Sequence, residues 1–289
     1  MIGALQENGP CFVGEDSNST YFNPYSWNNE VNLLYLDQPV QVGYSYDTLH
    51  NATLDLGASA GDFTIANPTI SNFSEGLPQQ NNTFYVGTFA SQNLTFTANS
   101  TSHAATALWH FAQTWFEEFP FYKPHNERVS IWTESYGGKY GPVFSKFFQT
   151  QNEKISNGTI RGPGVHYINL DTLGIVNGCI DSLAQDLAYL DQAYNNTYGI
   201  QAINQSVYEA QTHEFTRPGG CKDQIVYCRE LAAESDPNDD GAIEKVNAAC
   251  ITAGDCGGNT TVLPYFKYTN VTTLSHTVLS HISAPFSIA

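Results

Sequence analysis

Apolar residues recur along the chain with two different periods. Ala104, Leu108, Phe111 and Trp115 fall on one helical face, reinforced by Ala112, Phe116 and Phe119, and Pro120 closes the run. Residues 128–133 alternate as a half-buried strand does. A glycine pair follows, and residues 140–148 return to helical spacing. Residues 31–37 and 173–176 are short apolar runs that read as buried strands. Between them, residues 51–100 are rich in Asn, Ser, Thr and Gly and read as a surface excursion with a hairpin over 83–97. Strand, helix, strand, helix, strand is the order expected of a parallel sheet with covering helices. From residue 180 the pattern changes. Leu183, Leu187 and Leu190 are helically spaced and four cysteines crowd together. Residues 1–179 are therefore read as a partial α/β core and 180–270 as a mainly helical cap or insertion. No element is predicted for 271–289.

Charge narrows the partners. The chain has 289 residues, with 11 basic against 28 acidic side chains and a net charge of −17. Such a surface repels phosphate backbones and anionic lipid, which argues against a nucleic-acid partner. No apolar run reaches the ~18 residues of a spanning helix. The first ten residues lack the basic start and apolar stretch of a signal peptide. Yet eleven N-glycosylation acceptors occur, at Asn18, Asn51, Asn72, Asn81, Asn93, Asn99, Asn157, Asn195, Asn204, Asn259 and Asn270. About four would be expected by chance. Six cysteines (Cys11, Cys179, Cys221, Cys228, Cys250 and Cys256) lack the tight pairs of a zinc site and read as disulfide candidates. Both signs point to a secreted protein or a vacuolar, lysosome-like lumen, with N-linked glycans attached. A lumenal protein with no leader in view is expected to be incomplete at its start.

The sharpest chemical signal is Ile131-Trp132-Thr133-Glu134-Ser135-Tyr136-Gly137-Gly138. A nucleophile elbow needs a strand, a tight turn with Ser at its tip, and a helix, with small residues where neighbouring backbones crowd. Gly137 stands where one is required; Thr133 replaces the usual Gly on the other side. The segment 134–142 resembles the active-site signature of serine carboxypeptidases. Four other stretches match that family in order: Glu7-Asn8-Gly9-Pro10, the segment 23–28, the segment 37–46 (with Gln41 for the usual Gly), and Asn177-Gly178-Cys179-Ile180-Asp181. The likeness is greatest to the fungal secreted carboxypeptidase S1 branch.

The resemblance implies an α/β-hydrolase fold and release of C-terminal residues from peptides or proteins, without a cofactor or metal. Ser135 would be the nucleophile and the Tyr136 backbone N–H an oxyanion donor. Glu7 and Glu134 would bind the free carboxylate of the substrate. Carboxyls facing a third carboxylate cannot all ionise, which predicts an acidic working range. Family analogy pairs Cys221 with Cys256 and Cys228 with Cys250, leaving Cys11 and Cys179 as a third pair; six cysteines allow 15 pairings in all.

Three parts of the machinery have no counterpart in the chain: the triad Asp, the triad His and the Gly-rich oxyanion turn. His276 and His281 stand outside the family's setting. The expectations are a chain truncated at both ends and no peptide hydrolysis by these 289 residues alone. Two rivals are an acyltransferase or esterase on the same scaffold and a catalytically silent secreted glycoprotein. Residues 236–241 imitate the opening of a calcium loop, but Asn247 stands where a bidentate Glu is needed, so they read as a polar turn.

Overall fold

The computed structural model describes residues 3–57 and 67–269. The chain divides into two compact units, Met1–Ala98 with Lys123–His125 and Asn99–Tyr122 with Asn126–Ala289. The acceptor Asn270 and the tail 271–289, with His276 and His281, lie outside the described residues.

In the first unit, β1 (Cys11–Val13) and β2 (Thr20–Phe22) pair antiparallel, joined by a loop in which Asp16 accepts the N–H groups of Asn18 and Ser19. β3 (Leu49–Asp55) is the central strand of an antiparallel sheet, with β4 (Thr69–Ile70) on one side and β5 (Phe84–Ala90) on the other. The hairpin expected over 83–97 does not form. β5 pairs with β3 instead, and the chain after it turns at residues 94–96, where the Asn93 side chain accepts the Thr95 N–H at 3.0 Å. Residues 31–37, expected as a buried strand, pair with no strand among the described residues, and Val31, Leu34 and Leu36 are exposed. An apolar run becomes a strand only where a neighbour takes its backbone hydrogen bonds.

The second unit carries α1 (Thr101–Glu118), β6 (Arg128–Glu134), α2 (Gly137–Ser156) and β7 (Asn169–Val176). β6 and β7 pair in parallel, with Ile131 opposite Leu173 and Glu134 opposite Val176. Every second residue of β6 faces inward. Trp109 and Ala112 of α1, Phe148 of α2 and Ile168 form a buried cluster, with Val129 and Leu170 of the strands against it. Two buried amides explain the polar residues on these apolar helix faces. Gln113 bonds both the N–H and the C=O of His166, at 2.7 and 3.0 Å, and Asn152 does the same for Ile168, at 3.1 and 2.6 Å. The segment entering β7 is thus paired by side chains where no strand among the described residues supplies partners. On the outward side of the sheet, Trp132 remains 54% exposed and Val176 44%.

Beyond β7 the described chain is helical: α3 (Ser182–Tyr194), α4 (Gln205–Thr216), α5 (Cys221–Ser235), α6 (Glu244–Gly257), a π-helical turn at Gly258–Val262, and α7 (Leu263–Thr269). Asp181 and Asn204 cap α3 and α4 through their side-chain oxygens. Phe215, Ile225, Leu231 and Val246 form one closed core, and Leu190, Ala193, Ala202 and Ile203 form another. Disulfides join Cys221 to Cys256 and Cys228 to Cys250, with Cα separations of 5.3 and 4.9 Å. Cys11 and Cys179, the third expected pair, are each half-buried and lie one in each unit. The Asp236 carboxylate turns inward and accepts the N–H groups of Asp240 and Gly241, which closes the polar turn ahead of α6.

Candidate active site

Ser135 occupies the apex of a strand–turn–helix. β6 ends at Glu134, Ser135 takes a φ of +56°, and α2 begins at Gly137. For a residue with a Cβ that conformation is strained and persists only where neighbours fix it. The fixing bonds are on both sides. The Ser135 N–H donates to Val176 O at 3.0 Å, and its carbonyl accepts from Gly138 at 3.0 Å and Cys179 at 2.8 Å. Close approach explains the glycines. A Cβ on Gly138 would stand 2.7 Å from the Cys179 carbonyl oxygen, and one on Gly137 would collide with the Thr133 side chain. Thr133, where the general elbow pattern has glycine, instead donates its hydroxyl to Gly137 O at 3.0 Å. The substitution therefore adds a bond across the turn.

The loop that receives Ser135 is itself clamped. The Gln185 side chain accepts from the N–H groups of Ile180 and Asp181, at 2.6 and 3.0 Å, and donates to Gly178 O at 2.8 Å. Lys139 Nζ donates to Ile180 O at 2.6 Å. Arg229 of α5 pairs with Asp181. Reading the sequence did not single out Gln185. Its only signal was its position, one helical turn past the cap residue Asp181, where a side chain reaches back over the loop.

Electrostatics at the turn follow from burial. Desolvation, aided by Tyr140, Asp239 and Cys179, pushes the Tyr136 phenol up to about 12, so that it stays protonated. Desolvation first and Arg229 second hold the Lys139 ammonium below its ordinary value, while Asp181 opposes them. Asp186, packed against Gly257 of α6, is lifted to about 6, chiefly by burial.

The other predicted residues are placed as follows. Glu134 is exposed at the end of β6, next to Ser135, and Tyr136 opens the turn into α2. Glu7 belongs to the first unit, exposed at the end of a π-helical turn, Gly3–Glu7. Its neighbours interlock two of the matched segments. Asn23 donates to the carbonyls of Glu7 and Gly9, Ser26 Oγ donates to Asn8 O, and Tyr35 OH donates to Asn8 Oδ1 at 2.6 Å. In the segment 37–46, Asp37 accepts the Tyr44 N–H, and Gln41, at a φ of +79°, reaches Asn93 O.

Chemically, a serine hydroxyl on this turn sits at the positive end of α2, where a developing oxyanion is favoured. Among the described residues of its own unit, no histidine side chain is hydrogen-bonded to it. No group of His, Cys, Asp and Glu among them could hold a metal ion, and no described helix is long and apolar enough to cross a membrane.

Comparison with known proteins agrees with this geometry. The chain is 58% identical over 259 residues to carboxypeptidase S1 homolog A of Arthroderma otae, covering 89% of this chain and 39% of that protein. It is 53% identical over 256 residues to carboxypeptidase S1 homolog A of Trichophyton rubrum, covering 88% and 38%. It is 33% identical over 237 residues to carboxypeptidase S1 of Penicillium janthinellum, covering 82% and 43%. The chain thus spans about two fifths of the length of these relatives. Residues 1–281 match the serine carboxypeptidase family, peptidase S10, whose fold is the α/β-hydrolase, and the chain belongs to that family.

Proposed function

We propose that this chain carries the nucleophile portion of a serine-type carboxypeptidase, which releases C-terminal residues from peptides through an acyl-enzyme on Ser135. The observation that carries the reading is the strained Ser135 between β6 and α2, braced through its own N–H and carbonyl. In this reading residues 1–179 are part of the hydrolase core, 180–270 the helical cap, and 271–289 a tail without assigned structure. The Tyr136 N–H receives the oxyanion. Glu7 and Glu134 keep the role in binding the free carboxylate of the substrate that the resemblance implies. The 289 residues alone do not turn over peptides, because an unassisted serine hydroxyl is a poor nucleophile.

The same reading places the protein in a secretory or vacuolar lumen. Support comes from the two disulfides and from the acceptor asparagines, since all ten that are described are exposed. The test uses the whole protein from which these residues come. Ser135→Ala is expected to lower kcat by about 10⁴-fold or more. Glu134→Gln is expected to raise KM for free-acid peptides more than for peptide amides. Unchanged turnover in Ser135→Ala would exclude this nucleophile, and equal KM effects would exclude the carboxylate role.

A further inference from the structure

Among the ten described acceptor sites, Asn259 differs from the rest. Each N-glycosylation acceptor needs the hydroxyl of the residue two places on, because the transferring enzyme must reach both groups. That hydroxyl residue is exposed or half-buried at Asn18, Asn51, Asn72, Asn81, Asn93, Asn99, Asn157, Asn195 and Asn204. At Asn259 it is Thr261, which is 0% exposed and donates its hydroxyl to Gly257 O at 2.8 Å. The residue between them, Thr260, is 8% exposed, with Oγ1 3.3 Å from Cys221 Sγ. A disulfide sulfur carries no proton, so Thr260 is the donor there. The sequon is wound into the turn Gly258–Val262, and that turn follows directly on α6, which holds Cys256. Yet the Asn259 side chain itself is exposed. A glycan already present therefore fits the folded protein, whereas one not yet attached can no longer be transferred.

We propose that Asn259 is glycosylated only on chains whose Cys221–Cys256 disulfide has not yet closed. The proposal rests on the secretory reading above. Chain order sets up the competition, because both cysteines precede the acceptor, Cys256 by three residues. In the transfer, the Asn259 amide nitrogen forms a bond to the anomeric carbon of a lipid-diphosphate-linked oligosaccharide. The bond from that carbon to the diphosphate oxygen breaks, the lipid diphosphate leaves, and the amide proton passes to a base of the transferase. Once the disulfide anchors α6 against α5, Thr260 and Thr261 are enclosed and the amide is no longer a substrate.

The experiment expresses the full chain behind a secretory leader in a fungal host. Site occupancy is read by mass spectrometry after enzymatic glycan release in heavy-oxygen water, on whole-cell and secreted material alike. The wild-type chain is expected to be well occupied at Asn18 and Asn157 and poorly at Asn259. Cys256→Ser is expected to raise Asn259 occupancy at least about twofold and leave Asn18 unchanged. Because whole-cell material is read, a variant that is retained or misfolded still reports. A brief pulse of reductant on wild-type cells is expected to reproduce the rise without any substitution. Asn259 as fully occupied as Asn18 in the wild type, or unmoved by both treatments, overturns the proposal. Empty sites at Asn18, Asn157 and Asn259 together would instead remove the secretory reading, and the proposal with it.

Discussion

The turn around Ser135 and the helices α5 and α6 are held by opposite means. The turn depends on close backbone approach. Its core-facing residues are half-buried, its outer face leaves Trp132 half exposed, and what fixes it is a set of hydrogen bonds into the loop after β7. The helix pair depends on closed apolar packing and two cross-links, with Cys221, Val246 and Cys250 at most 1% exposed. Backbone proximity tolerates almost no added atom at a few glycine positions, whereas a cross-linked core depends on its packed side chains and loses stability when a link is cut. The proposed site is thus specified by glycines, and the region beside it by cysteines and aliphatics.

The largest effect is expected where the turn has no room. Gly138→Val would drive a branched side chain into the Cys179 backbone, where even a Cβ stands 2.7 Å from the carbonyl oxygen. We expect a loss of about 3 kcal/mol or more, or failure to accumulate as soluble protein. Gly258→Ala is the matching control, because a Cβ there meets nothing within 4 Å. It is expected to be neutral or to gain up to about 1 kcal/mol. Urea unfolding of both variants checks the contrast, and similar losses would show that backbone proximity does not distinguish the two regions.

Cutting a link should give the next largest effect. The double variant Cys228→Ser, Cys250→Ser opens a bridge between residues 22 apart and is expected to cost about 2–4 kcal/mol. Hydrogen exchange should place the loss in α5 and α6. The Cys179 N–H, bonded to Ser135 O, should keep its protection. Loss of protection at both places in equal measure would mean that the regions unfold as one.

Legibility in the sequence followed the same division. Helical spacing of Ala104, Leu108, Phe111 and Trp115 led to α1, which the structure begins at Thr101, three residues before the first residue of that pattern. The alternation of 128–133 led to β6, and the glycines after Ser135 to the elbow, because those signals are local. The apolar run 31–37 misled, since strand pairing depends on residues far away in the chain. β5 was misplaced for the same reason: its partner β3 lies some thirty residues before it, not next to it. Gln185 went unseen because a clamp of three hydrogen bonds leaves no mark in hydrophobic spacing. The Cys221–Cys256 and Cys228–Cys250 pairs came from resemblance, as spacing alone left the alternatives open.

The smallest effect tests whether the two regions share electrostatics where they meet, at Asp186. The carboxyl is lifted from 3.8 to about 6, chiefly by burial, with Lys139 of α2 opposing the shift and Asp181 adding to it. In the unfolded chain the same group titrates near its ordinary value. Between about pH 4 and pH 6 the folded protein therefore holds more protons than the unfolded chain, and stability falls as pH rises through that window. Below the window the contribution is fully present; above it the loss is complete and constant. The side chain is only part-buried, so solvent screening limits the change to no more than about 1 kcal/mol. Asp186→Asn keeps the shape and removes the proton. Its stability should be flat across the interval where the wild-type protein declines, as measured by thermal unfolding at half-unit steps of pH. An equal slope in both proteins would assign the decline to other carboxyls and leave the turn and the helices electrostatically independent.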